Sequence, residues 1–113
     1  TDNGKPVDST IYKLPESEDE LVTYSVYMGG DIGETVITTN RPELPNILIY
    51  GDSFTNPLEA LLWTQANELR SIDFRHYTEC TLKDYIAEYK PDIVICVRDE
   101  TTFLSEDGNG ITE

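Results

Sequence analysis

Residues 46–54 read Asn-Ile-Leu-Ile-Tyr-Gly-Asp-Ser-Phe, and this stretch decides the fold. Its apolar residues run without interruption into Gly51, which is typical of a buried strand that stops at a tight turn. In α/β proteins, a polar residue directly after such a strand lies at the carboxyl edge of a parallel sheet, where these folds bind ligands. We therefore expect the hydroxyl of Ser53 at that edge.

A helix is predicted to begin directly after this turn. Asn56 is suited to cap it, and Pro57 suits the first helical position. Glu59 follows Asn56 by three residues, which is the spacing of a capping box. Apolar residues then recur at helical spacing to about Leu69. The serine turn is thus framed by a strand and a helix.

Two more strands and one more helix follow. Residues 71–75 alternate apolar and polar, residues 82–89 carry apolar side chains three and four apart, and residues 93–97 are an unbroken apolar run, typical of a strand buried on both faces. Because βαβ crossovers are right-handed, the three strands should be parallel, in local order 2-1-3. We predict an α/β fold: a small three-layer, flavodoxin-like fragment with Ser53 on the central strand.

The chain divides by composition into four segments. Residues 1–20, with two prolines and an acidic cluster, are predicted to be irregular. Residues 21–45 contain two β-prone runs around a Gly-Gly pair, which predicts a β-hairpin and a linker. Residues 46–104 form the βαβαβ core, and residues 105–113 are predicted to be a turn or frayed tail.

Length and charge restrict what the chain can do. Its 113 residues suit one small domain, and because the first residue is Thr1 rather than Met we expect an excised or processed piece. Eight Lys and Arg against 22 Asp and Glu give a formal net charge of -14. This charge repels nucleic acid and anionic membrane surfaces, so neither is a predicted partner. No apolar run approaches the roughly 20 residues of a membrane span.

The cysteines and histidine do not form a metal motif. Cys80 and Cys96 are predicted to be free or buried thiols, since Cys96 falls in mid-strand and Cys80 in a loop or helix start. There is no Cys-x-x-Cys pair, and His76 is the single histidine. We therefore predict neither a metal nor a cofactor.

These residues resemble the SGNH or GDSL-type hydrolases, whose first motif is a strand followed by Gly-Asp-Ser. Residues 51–54, Gly-Asp-Ser-Phe, match that motif, and residues 90–95 are similar to the segment that leads to the third motif. The resemblance covers roughly residues 46–104. The chain looks most like a permuted branch of bacterial cell-envelope proteins, with an Asp-x-His pair upstream of the serine. That branch includes alginate-type O-acetyltransferases and the DHHW family, and the Asn-x-Leu-Glu at 56–59 and Asp-Phe-Arg-His-Tyr at 73–77 look DHHW-like.

The resemblance implies that Ser53 is the nucleophile of a serine-dependent acyl esterase or O-acetyltransferase. The implied substrate is an acylated cell-envelope or extracellular polysaccharide, and the implied location is extracytoplasmic or the cell surface of a bacterium. The chain lacks the upstream Asp-x-His pair, so it would be a C-terminal portion of such an enzyme. Arg98-Asp99-Glu100 also stands where the third motif has an oxyanion-binding Asn. The alternative is a noncatalytic surface interaction or glycan-binding domain that keeps this fold.

Other polar residues should share the edge with Ser53: Asp52, Arg75, His76, Arg98 and Glu100. Asp52 is expected to organise the turn by accepting backbone amides, and His76 is a candidate base. The two arginines are candidates for binding a carboxylate or a sugar acid, or else pair with neighbouring acidic residues. Ser53 itself has a structural alternative, in which its hydroxyl satisfies loop amides.

Overall fold

The computed structural model describes residues 10–104, together with Lys5 and Asp8. The predicted tail, residues 105–113, and most of the first nine residues lie outside the described residues. The strands are β1 (Glu34–Thr38), β2 (Asn46–Gly51), β3 (Glu68–Asp73) and β4 (Ile93–Val97). The helices are α1 (Thr55–Leu62), α2 (Leu82–Tyr89) and the single-turn α3 (Glu100–Phe103). The prediction of an α/β fold is confirmed.

All four strands join one sheet, in the order β1-β3-β2-β4. β2 is parallel to β3 on one side and to β4 on the other, whereas β1 is antiparallel to β3. The last residue of β2, Gly51, pairs with Asp73 of β3 and Val97 of β4. The turn that carries Ser53 therefore emerges between the ends of two parallel neighbours.

The core lies on both faces of this sheet. α1 and the short 3-10 turn after it cover Ile47, Ile49 and Leu69. α2 covers Leu48, Ile72 and Phe74 on the opposite face. Neighbouring residues of β2 are therefore both buried, which explains the unbroken apolar run, since each such side chain contributes about 1.5–3 kcal/mol when fully buried.

β4 departs from its prediction as a strand buried on both faces. Ile93 and Val94 are each 43% exposed, and Cys96 is exposed. Within residues 10–104 no strand pairs with the outer edge of β4, so it is an edge strand. Because α2 packs over the neighbouring strands, Val94 and Cys96 have no layer above them among the described residues. Cys80 and Cys96 are both free thiols.

The β-hairpin predicted within residues 21–45 is not formed, although the structure describes all of these residues. Residues 21–28 instead hold a 3-10 turn, Tyr24–Val26, and a single bridge between Tyr12 and Tyr27. β1 pairs with β3, and the paired residues are 30 to 38 positions apart in sequence. The sheet offers β1 a packed neighbour and a buried face, whereas an isolated two-stranded hairpin is only marginally stable.

α1 begins two residues earlier than predicted, and it has no capping box. Its N-cap is Phe54, which makes no side-chain capping bond. Asn56 and Glu59 are both buried and bond elsewhere. The helix ends at Leu62, so Leu69 lies in β3. None of the described helices has the length and apolar character needed to cross a membrane.

Candidate active site at the carboxyl edge of the sheet

Ser53 lies in a tight turn between β2 and α1. The amide of Thr55 donates to the carbonyl of Asp52 at 2.9 Å, and the amide of Asn56 donates to the carbonyl of Ser53 at 3.1 Å. Ser53 is half-buried. Neither its hydroxyl nor its amide makes a hydrogen bond to another of the described residues. Both groups are therefore available to a ligand at this edge.

Asp52 joins two loops of the site. Its carboxylate accepts the amide of Phe54 at 3.0 Å and the amide of Asp99 at 2.7 Å, and the residue is only 3% exposed. Its own amide donates to the carbonyl of Val97 at 3.4 Å. Asp52 thus connects the Ser53 turn to the loop that follows β4.

We expect Asp52→Ala to lower the free energy of unfolding by about 1–3 kcal/mol, because it removes the carboxylate that accepts the part-buried amides of Phe54 and Asp99. Urea unfolding of the 113-residue chain measures this change, with Asp19→Ala at an exposed acidic position as the control. Equal urea midpoints for the two variants would show that these amides find other partners.

A second polar cluster follows β3 and contacts the same turn. The guanidinium of Arg75 donates to the carboxylate of Asp73 at 2.6 and 3.0 Å, and to that of Asp31 at 2.9 Å. Nε2 of His76 lies 3.9 Å from the same Asp31 carboxylate. Asn56, in the first turn of α1, donates to the other oxygen of Asp31 at 3.3 Å. Asp31 therefore connects the end of β3 to the segment that carries Ser53.

Arg75 is held by acidic neighbours. Hydrogen bonds to Asp73, with the charges of Asp73 and Asp31, raise the pKa of Arg75 above its ordinary value, so the guanidinium stays charged. Oxygen and nitrogen atoms of Asp31, Asp73 and His76 lie within 4.8 Å of one another, a spacing compatible with a metal ion. Arg75 already supplies positive charge to both carboxylates, and we assign no metal to this cluster.

The remaining predicted site residues are less closely gathered. His76 is exposed, and its 3.9 Å separation from Asp31 is too long for a hydrogen bond. Arg98 is half-buried at the end of β4, with its side chain beside Gly51. Glu100 is exposed at the start of α3. The structure therefore places Asp52 and Arg98 beside the strand end that leads to Ser53, and Glu100 toward solvent.

Two residues near Ser53 were missed by sequence reasoning: Asp31 and, as a tertiary contact, Asn56. Asp31 belongs to a Gly-Gly-Asp stretch whose local pattern predicts only a hairpin turn. Its contact with Arg75 spans 44 residues. The one available signal was an acidic residue next to glycines, which does not specify a distant partner.

Solved structures share this architecture. The chain superimposes on PatB1 from Bacillus cereus with a TM-score of 0.70 at 28% identity, covering 86% of this chain and 32% of PatB1. PatB1 with a sulfonyl adduct gives 0.68 at 26% identity, covering 80% of this chain and 30% of that protein. A DHHW family protein from Eubacterium siraeum DSM 15702 gives a TM-score of 0.70 at 21% identity, a likeness of fold that covers 92% of this chain and 34% of that one. The fold is PatB- and DHHW-like.

The PatB-like match covers only part of those proteins: this chain spans about a third of the length of the structures it resembles. No family model matches the sequence, and no curated protein matches it either.

Proposed function

We propose that this chain is the serine-bearing, C-terminal portion of an SGNH-like esterase or O-acetyltransferase with flavodoxin-like layering. Its proposed substrate is an acylated polysaccharide of a bacterial cell envelope or extracellular matrix, and its proposed location is extracytoplasmic. One observation carries the proposal: in a PatB- and DHHW-like fold, Ser53 occupies the turn after the central parallel strand, with its hydroxyl and amide unbonded by other described residues.

The chemistry follows from that placement. Oγ of Ser53 attacks the carbonyl carbon of an acyl ester while a base takes the hydroxyl proton, and a tetrahedral oxyanion forms. The backbone amide of Ser53 is one donor for this oxyanion. The ester C–O bond then breaks, the sugar alcohol leaves with the proton, and Ser53 keeps the acyl group. Water completes an esterase cycle, and a second sugar hydroxyl completes a transferase cycle.

The base is proposed to come from outside residues 10–104. Within these residues no hydrogen bond joins a histidine or carboxylate to the Ser53 hydroxyl. Nε2 of the single histidine, His76, instead lies 3.9 Å from the carboxylate of Asp31. The resemblance to the permuted cell-envelope branch suggests an Asp-x-His pair upstream in a longer protein.

The 113-residue chain by itself should show no appreciable esterase activity, since a general base contributes about 10²–10⁴-fold and is missing. The measurement is hydrolysis of an aryl acetate by the chain, with Ser53→Ala as the matched blank. Hydrolysis that Ser53→Ala abolishes would contradict this expectation. A further loss in His76→Gln would then identify His76 as the base.

The second candidate function is noncatalytic: a glycan-binding or surface interaction domain. It is favoured by Arg98-Asp99-Glu100 in place of the third-motif Asn, which removes one oxyanion donor. A longer protein with no Asp-x-His pair, together with glycan binding that Ser53→Ala leaves unchanged, would support this function over the enzymatic one.

A further inference from the structure

A buried polar cluster lies beneath the Ser53 turn, between α1 and the sheet. Glu59 of α1 is 2% exposed, although glutamate is almost never fully buried without a partner. The residues around its carboxyl carry hydroxyls: Thr55 on its own helix, Ser71 on β3 and Thr35 on β1. All three are buried.

Hydrogen bonds connect this carboxyl to the serine turn. The hydroxyl of Thr55 donates to Oε1 of Glu59 at 2.9 Å, and the amide of Thr55 donates to the carbonyl of Asp52 at 2.9 Å. Glu59 thus holds the residue whose amide closes the turn around Ser53. Thr55 and Glu59 are one helical turn apart, so a single packed face fixes both.

Two other polar atoms of this cluster have no hydrogen-bond partner in the described part of the chain. Oε2 of Glu59 and the hydroxyl oxygen of Ser71 are buried and lack hydrogen-bond partners among the described residues. They belong to facing elements, α1 and β3. A proton on the Glu59 carboxyl would make Oε2 a donor, and the unbonded Ser71 hydroxyl on the facing strand is a candidate acceptor for it.

The surroundings favour that proton. Burial raises the pKa of Glu59, and this effect outweighs the contacts with Ser71, Thr55 and Thr35, which favour the ionised form. The charged group that faces Glu59 is Asp73 on β3, and its carboxylate raises the pKa further. Among the described residues, β1 and α1 bring the hydroxyls of Thr35 and Thr55 to this carboxyl.

We propose that Glu59 is a positioning residue for the Ser53 turn: its neutral carboxyl fixes the first turn of α1 to β3. The significance of this contact for catalysis rests on the proposed function, in which Ser53 is the nucleophile. The fixing of the turn does not depend on that function, and it can be measured in the 113-residue chain.

Amide hydrogen exchange over residues 52–56 tests the structural step. We expect Glu59→Leu, which keeps an apolar volume but removes both hydrogen-bonding oxygens, to raise exchange there about tenfold. Glu59→Gln has one donor and one acceptor, like a protonated carboxyl, and should retain protection. If Glu59→Leu does not fold, Thr55→Val replaces it as the test variant. It removes the hydroxyl that donates to Glu59 and should also raise exchange at residues 52–56. Unchanged exchange in the folded variant would overturn the proposal.

The pH dependence of stability tests the neutral state. Because the pKa of Glu59 is higher in the folded than in the unfolded chain, its stabilising contribution is complete below about pH 4.5 and is lost as pH rises through the folded pKa. Because glutamine does not ionise, Glu59→Gln does not lose this stability as pH rises. The thermal midpoint of Glu59→Gln relative to wild type should therefore rise as pH increases above about 4.5, whereas the exposed control Glu88→Gln should follow wild type. If the difference in thermal midpoint between Glu59→Gln and wild type stays constant with pH, the inference that the Glu59 carboxyl is neutral is wrong.

The longer protein separates this inference from the proposed function. If it is active, Glu59→Leu should lower kcat with little change in KM, and Glu59→Gln should restore kcat. Faster exchange at residues 52–56 in an inactive longer protein would support the positioning role and overturn the proposed activity. Full kcat in Glu59→Leu with unchanged exchange would overturn the positioning role and leave the activity in place.

Discussion

Gly51→Ala should lower the free energy of unfolding by about 3 kcal/mol or more and the thermal midpoint by more than about 10 °C. A Cβ at residue 51 would lie 1.7 Å from the carbonyl oxygen of Val97 and 2.7 Å from its carbonyl carbon. Both are backbone atoms of the paired strand β4, so no side-chain rotation relieves the overlap. β2 and β4 must therefore separate at the end that positions Ser53.

Gly29→Ala is the matched control for that substitution. Gly29 has φ +79°, which disfavours a side chain, but a Cβ there meets nothing within 4 Å. It should cost about 1 kcal/mol from backbone conformation alone. Thermal and urea unfolding of both variants separate the two effects. Equal losses would mean that β2 and β4 accommodate the methyl group, which contradicts the close pairing at Gly51.

Ser53→Ala should abolish acyl hydrolysis or transfer in the longer protein while leaving its thermal midpoint unchanged. A nucleophile forms the covalent intermediate, so its loss costs on the order of 10⁴-fold or more in turnover. The hydroxyl makes no hydrogen bond to the described residues, so stability has little to lose. Activity and stability should therefore separate.

Acetyl release or transfer on an acetylated glycan measures the activity, and a thermal melt of the same samples measures stability. A sulfonyl fluoride is a suitable covalent probe, since it reacts with an activated serine nucleophile. It should label wild type and the exposed-serine control Ser25→Ala, but not Ser53→Ala. A much lower midpoint for Ser53→Ala would make the residue structural. Equal midpoints without activity on any acylated glycan tried would favour the interaction domain.

The elements that sequence reasoning placed well are those with strong local patterns. The apolar spacing over residues 82–89 predicted α2, and the hydroxyl of Thr81 caps its first turn by accepting the Asp84 amide at 3.1 Å. α2 ends at Tyr89, and its C-cap residue Lys90 adopts a left-handed conformation before Pro91. The elements that it placed badly depended on distant partners. The β-prone run at 21–28 predicted a strand with Val22 on its buried face, yet no strand forms there and Val22 remains 64% exposed.

The sequence by itself determined the α/β class, the strand that ends at Gly51 and the turn that presents Ser53, because apolar runs, glycines and caps act within a few residues of the chain. Only the tertiary structure decided that β1 pairs with β3, that Asp31 reaches Arg75 across 44 residues, and that Glu59 is buried instead of capping its helix. These outcomes depend on which surfaces meet after the sheet has formed. Local hydrophobic periodicity predicts that one face of a helix or strand will be buried, but it does not predict which residues will cover that face.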